Sequence, residues 1–178
     1  MTMDFFQTVH ARQSVRAYQA KPVEANHLEA ILSAANQSPS AGNLQAYEIV
    51  VVRDAATIQT LTNACFNQGF IAQAPVLLVF CADAPRSAAK YGPAGEQLFA
   101  VQDATIATTY AQLAATAIGL ATCWIGAFRD ADIARLLNLR TGLRPIAMLP
   151  LGWPAETPPR TPRRPLSEIT REYPAHQP

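Results

Sequence analysis

The sequence predicts a single domain that mixes helices with buried strands. "AYEIVVV" (46–52) and "PVLLVFCA" (75–82) are short apolar runs rich in strand-forming residues. Around them lie segments whose apolar residues recur at helical spacing. From Gly95 to Leu120 the chain is rich in Ala, Thr, Gln and Leu, apolar almost all round, as in a long helix buried on several sides. With 178 residues, 49% of them hydrophobic, there is enough chain for one sizeable core and too little for two, so 1–178 reads as one domain.

Phe5, Phe6 and Val9 outline a short amphipathic helix, and a second follows Pro22 with Leu28, Ile31, Leu32 and Ala35 on one face, ending near Asn36. "SPSAGNLQ" (38–45) is turn chemistry: the residue before Pro39 resists helical geometry and Gly42 permits positive φ. After the first strand, Asp54 caps a helix carrying Ile58, Leu61 and Cys65. Beyond the second strand comes the long helix, its end marked by Gly119. "ATCWIG" (121–126) is a short strand or loop, "DADIARLLNL" (130–139) a helix capped by Asp130, and "PIAMLPLGW" (145–153) a further strand. Half of the 14 prolines lie beyond Trp153, so 154–178 predicts an extended tail in which "PLSEI" makes at most one more turn or short strand.

Charge narrows the function classes. Only 15% of residues are charged and the formal net charge is +1, which fits neither a nucleic-acid binder nor a polybasic membrane surface. Small molecules or a second copy are the expected partners, and so little charge leaves neutral surface for a subunit interface. Cys65, Cys81 and Cys123 are far apart and set in apolar context, so they read as buried free thiols. His10, His27 and His176 are equally scattered, and no metal site ligated by side chains is expected. There is no basic region followed by an apolar run at the start and no stretch of membrane-spanning length, which points to the cytoplasm.

Hydrolytic and acyl-transfer chemistry lack a paired carboxylate, a nucleophile elbow or a Cys–His pair. Neither GxGxxG nor GxxxxGK[ST] occurs, so a bound phosphate would have to be held by arginines. "HARQSVRAY" (10–18) supplies them: Arg12, Ser14 and Arg16 fall at every second position and, in an extended segment, project from one face onto a single anion. A helix-end cap or surface ion pairs are the alternative use of these arginines. Arg160, Arg163, Arg164 and Arg171 add four cations in the tail.

"RQSVRAY", "SPSAGNLQAYEIVVV", "APVLLVFCAD", the Ala-rich helix ending in "GLATCWIG", "PIAMLPLGWPAE" and "PRRPLSEI" resemble, in order and over nearly the whole chain, the successive landmarks of the nitroreductase family of FMN-dependent oxidoreductases. The resemblance implies an α+β fold of three layers, α-β-α, in which a mostly antiparallel sheet is sandwiched by helices. It implies a homodimer with FMN at the interface, reduced by NADH or NADPH and reoxidised by a small aromatic acceptor such as a nitroaromatic or quinone in a ping-pong scheme. Arg12 and Ser14 match phosphate contacts, with Gln13 adjacent, and Arg16 matches the basic residue near the ribityl and pyrimidine side of the ring. Pro39, Ser40 and Asn43 match the loop laid against the flavin by the other subunit, and Asn67 a polar contact to the pyrimidine edge. Trp124, Ile125 and Gly126 match the segment facing the flavin. Arg163, two residues before Pro165, matches the tail arginine on the phosphate, with Arg160 and Arg164 as substitutes.

Read singly, Asn43 and Gln45 also suit backbone bonds in a turn, Asn67 a helix cap and Trp124 a core position. The family's Asn-x-Gln-Pro-Trp is here Asn43-Leu44-Gln45-Ala46-Tyr47, and Ala127-Phe128 stands where larger members carry a glutamate, so their substrate range does not transfer. An FMN carrier or redox sensor without turnover is the other class open to the same phosphate site.

Overall fold

The structure, a computed structural model, describes residues 2–173; His176 and the end of the tail lie outside the described residues. The helices are α1 (Phe5–Ala11), α2 (Ala25–Asn36), α3 (Ala55–Ala64), α4 (Ala84–Ala94), α5 (Ala100–Ala117), α6 (Asp130–Leu136) and α7 (Leu166–Ile169). The strands are β1 (Tyr47–Val52), β2 (Val76–Asp83), β3 (Ala121–Thr122) and β4 (Leu143–Gly152), joined antiparallel in the order β1-β2-β4-β3.

The all-apolar run of β2 is explained by its place inside the sheet, with both faces covered. Leu77, Val79 and Cys81 pack on one side with Ile58 and Leu61 of α3 and Ile133 of α6. Val76, Leu78 and Phe80 pack on the other with Leu28 and Ile31 of α2 and Ala107, Ala111 and Ala115 of α5. The result is the expected three-layer α+β sandwich. Alanines along α5 let it lie close on both α2 and the sheet. Between Phe80 and Cys81 the β2–β4 register shifts and Ile146 is the extra residue, a bulge beside Pro145, which lacks an N–H to give to the ladder.

Two expectations require correction, and two further features go beyond the sequence reading. The long helix does not run regularly from Gly95: Gly95–Phe99 form a π-helical turn, and the α-helix begins at Ala100. Asp130 is not the cap of α6; Arg129 holds the N-cap position, and Asp130 lies in the first turn, where a carboxylate still favours the helix N-terminus. An additional helix, α4, kinks at Gly92 (φ 57°) just before Pro93. Finally, α1 buries only Thr8, leaving Phe5 66% and Phe6 81% exposed, so the apolar face of this helix has no cover within one chain.

All three cysteines are free and buried. Burial pushes the Cys65 thiol up to about 11 and the Cys81 thiol to about 12, so both stay protonated at neutral pH. Among the described residues, no helix is long and apolar enough to cross a membrane, and no three His, Cys, Asp or Glu gather as a metal site would require.

Candidate functional site

The arginine segment begins where α1 stops. The Arg12 amide donates to the Thr8 carbonyl at 2.9 Å as the helix's C-cap, and the chain then runs extended beside β3. Ser14 forms a parallel bridge with Thr122, and the Val15 amide donates to the Thr122 carbonyl at 3.1 Å. Val15 turns inward to pack with Tyr18, Ala74 and Ala121. Alternation then sends Ser14 and Arg16 to the other side, as the spacing predicts.

A second stretch closes over them. The Gln19 amide donates to the Trp153 carbonyl and the Ala155 amide to the Ala17 carbonyl, each at 2.9 Å, with Tyr18 bridged antiparallel to Pro154. Glu156 adds a side-chain anchor, its carboxylate accepting the Arg16 amide. The proline-rich tail is thereby turned back across the first segment. Together they line a half-open cavity of about 670 Å³ whose wall includes Arg12, Gln13, Ser14, Arg16, Arg160 and Arg163.

Its electrostatics are one-sided. Among the described residues, no carboxylate lines this cavity, and none of its four arginines forms an ion pair. Arg160 reaches the His10 ring at 3.2 Å. Arg164 instead turns away to Glu168, 3.2 Å distant, which separates it from Arg160 and Arg163. Gln13 Oε1 is buried with no hydrogen-bond partner, a costly state unless a donor arrives from outside the chain. Guanidinium groups gathered in this way suit a phosphate dianion, and the orphaned Gln13 oxygen suits a ligand N–H or O–H. The residues present therefore fit the phosphate and polar portions of a flavin nucleotide.

Two buried groups lie beside this wall. Burial pushes the Tyr18 phenol well above its ordinary range, and its hydroxyl donates to the Val15 carbonyl at 2.8 Å. Burial also raises the Cys123 thiol, opposed by Arg16, by a hydrogen bond with Ser14 and by Arg12.

The other expected residues occupy separate places. Asn67 is exposed at the end of α3, and both it (φ 55°) and Phe66 (φ 54°) adopt left-handed backbone. The same turn leads to Phe70, whose ring centroid lies 5.8 Å from the Arg16 guanidinium carbon, linking Asn67's segment to the cavity. Ile125 is buried and pairs with Met148 of β4, Gly126 is exposed, and half-buried Trp124 packs against the α2–α5 side of the core.

Pro39, Ser40 and Asn43 do not reach the arginine cavity within one chain. Pro39 and Ser40 line another, of about 590 Å³, along the start of α5 with Phe99, Val101 and Asp103. Asn43 is exposed nearby with φ 57°. Gln45 stabilises that turn by donating its amide to the Asn43 carbonyl at 2.7 Å and the Asn43 side-chain oxygen at 2.6 Å. The turn-forming role of Asn43 and Gln45 is thus real, and Asn43 still presents itself to solvent. His10, Glu156 and Asp103 were not singled out by the sequence; the signals for the last two were an acid in "PAE" and a lone acid in an Ala-rich apolar helix.

The chain is similar to known proteins in sequence and in fold. The profile of the nitroreductase family matches residues 9–69 and 62–153. The chain is 33% identical over 167 residues to the oxygen-insensitive NADPH nitroreductase of Salmonella typhimurium, covering 90% of this chain and 70% of the relative. It is 30% identical over 173 residues to the FMN reductase [NAD(P)H] of Bacillus subtilis, with the same coverage of 90% and 70%. Among solved structures, NfrA2 of B. megaterium superposes with a TM-score of 0.87 at 29% identity over 94% of this chain and 73% of its own. An FMN-dependent nitroreductase from Clostridium difficile gives 0.76 at 26% identity over 86% and 90%. With its landmarks in order, its three-layer sheet sandwich and a family profile that spans most of its length, this chain belongs to the nitroreductase family.

Proposed function

We propose that this protein is an FMN-dependent oxidoreductase that uses NADH or NADPH to reduce nitroaromatic, quinone or similar acceptors, and that it works as a homodimer. The arginine cavity with its unpartnered Gln13 oxygen carries this reading. In it Arg12, Ser14 and Arg163 hold the phosphate, with Arg160 beside them, and Gln13 accepts a hydrogen bond from the ligand. Arg16 and Asn67 serve the ring's polar edge, and Arg16 supplies the cation that offsets negative charge on the reduced ring. The Trp124–Gly126 backbone faces the ring. Bound there, FMN would supply the redox chemistry, hydride acceptance from the nicotinamide and two-electron reduction of an acceptor. The chain's own task is to bind, orient and screen, consistent with a site built of arginines and amides rather than an acid–base pair.

The homodimer rests on two observations. Pro39, Ser40 and Asn43 lie away from the arginine cavity of their own chain, so they are available to a second copy. The uncovered apolar residues of α1, together with Leu98 and Tyr110, provide surface for such an interface. A cytoplasmic setting belongs to this reading, supported by three free thiols.

Turnover separates a reductase from a flavin carrier or redox sensor. Under anaerobic conditions, NADH or NADPH is expected to bleach the yellow of the FMN-loaded protein, and an added quinone to restore it. A loaded protein that stays yellow with both nucleotides would make it a carrier or sensor instead.

A further inference from the structure

Asp103 is 2% exposed near the start of α5, among alanines, and among the described residues it forms no ion pair. A carboxylate in such a position is unfavourable unless its oxygens are hydrogen-bonded. Both are. Oδ1 accepts the Ala41 amide at 2.9 Å, and Oδ2 accepts the Ala46 amide at 3.3 Å. Its two partners stand at opposite ends of one turn, so the carboxylate straps that turn to the helix.

The strapped segment is an unusual one. Gly42, Asn43 and Gln45 all have left-handed backbone, at φ 57°, 57° and 45°. A Cβ on Gly42 would meet Tyr91 Oη and Lys90 Nζ, so the turn lies against α4 at Gly42 while Asp103 holds Ala41 and Ala46. Non-glycine residues in the left-handed region persist where the surroundings impose them. Asp103 also lines the 590 Å³ cavity beside Pro39 and Ser40.

We propose that Asp103 is a positioning residue, one that sets the posture in which the 39–46 loop presents Ser40 and Asn43 and thereby tunes which acceptors are reduced. The acceptor part rests on the reading above, in which this loop works against the flavin. An Asp103→Asn side chain keeps the shape but has only one acceptor oxygen, and its NH₂ opposes one of the two loop amides. Asp103→Ala removes both acceptors.

The test uses both variants of the full chain. In the ligand-free protein, amide hydrogen exchange at Ala41 and Ala46 is expected to accelerate about tenfold or more, with β2 unchanged. In the FMN-loaded enzyme, the ratio of kcat/KM for a quinone to that for a nitroaromatic is expected to change by about fivefold or more. Loss of folded protein would scale both acceptors alike and leave that ratio untouched. Unchanged exchange at Ala41 and Ala46 overturns the strap; faster exchange with an unchanged ratio overturns the link to acceptor choice. If Asp103→Ala fails to fold, Asp103→Asn decides, and failure of both overturns the proposal by assigning Asp103 to core stability. A wild-type protein that takes up no FMN defeats the functional reading and the acceptor link with it, while the exchange result still decides the strap.

Discussion

Arg12→Ala and Arg163→Ala are each expected to weaken FMN binding by roughly ten- to a hundredfold while leaving riboflavin binding almost unchanged. Both guanidinium groups line the same cavity, and neither is engaged by a carboxylate among the described residues. A hydrogen bond to a charged group contributes roughly 1.5–3 kcal/mol, which converts to that range of affinity. Riboflavin lacks the phosphate, so it reports only on the rest of the site. Arg16→Ala supplies the contrast: Arg16 lies over Phe70, toward the Asn67 turn, and its loss is expected to weaken both ligands and lower the bound flavin's reduction potential. Titration of each variant with FMN and riboflavin, followed by flavin fluorescence, distinguishes the cases. Equal weakening of the two ligands in Arg12→Ala would make the segment a structural brace.

The largest loss of stability is expected from Phe80→Ala. Phe80 is fully buried at the middle of β2, packed with the α2 and α5 side chains, and its strand is flanked by β1 and β4. Removing a buried aromatic ring costs about 3–5 kcal/mol, a large share of the roughly 5–15 kcal/mol that holds a domain folded. At about 2–4 °C per kcal/mol for a chain of this size, the melting temperature should fall by roughly 6–20 °C. Ile169→Ala, at an exposed position on α7, is the control and should shift it by no more than about 2 °C. Thermal unfolding followed by circular dichroism measures both.

What the sequence made legible was local. The apolar runs that became β1 and β2, the spacing that became α2 and the Asp54 cap of α3 all act over a few residues. The arginine face was visible for the same reason, since alternation in an extended segment needs no knowledge of the fold. By contrast, α4 carries near its end Gly92 and Pro93, residue types that ordinarily break a helix, and the chain accommodates them by a kink. The cap of α6 shifted one residue because Arg129 is held by backbone and side-chain bonds to α3, its amide on the Ala64 carbonyl and Nη2 on the Asn63 carbonyl.

Long-range geometry was the hidden part of the site. That Arg160 and Arg163 return to Arg12, while Arg164 turns to Glu168, depends on 153–156 pairing with 16–19 across more than a hundred residues. Periodicity carries no trace of such pairing. Asp103 was missed for a related reason: its partners are two backbone amides of a distant turn, which leave no side-chain pattern behind.

The proposed flavin site joins the arginine cavity of one chain to the 39–43 loop of a second. Size-exclusion chromatography of the purified protein with FMN, recording flavin absorbance and molar mass on the same peak, tests it most directly. A yellow dimer carrying one FMN per chain is the expected result. A colourless protein that takes up no FMN, or a monomer that retains full occupancy at micromolar concentration, would contradict it.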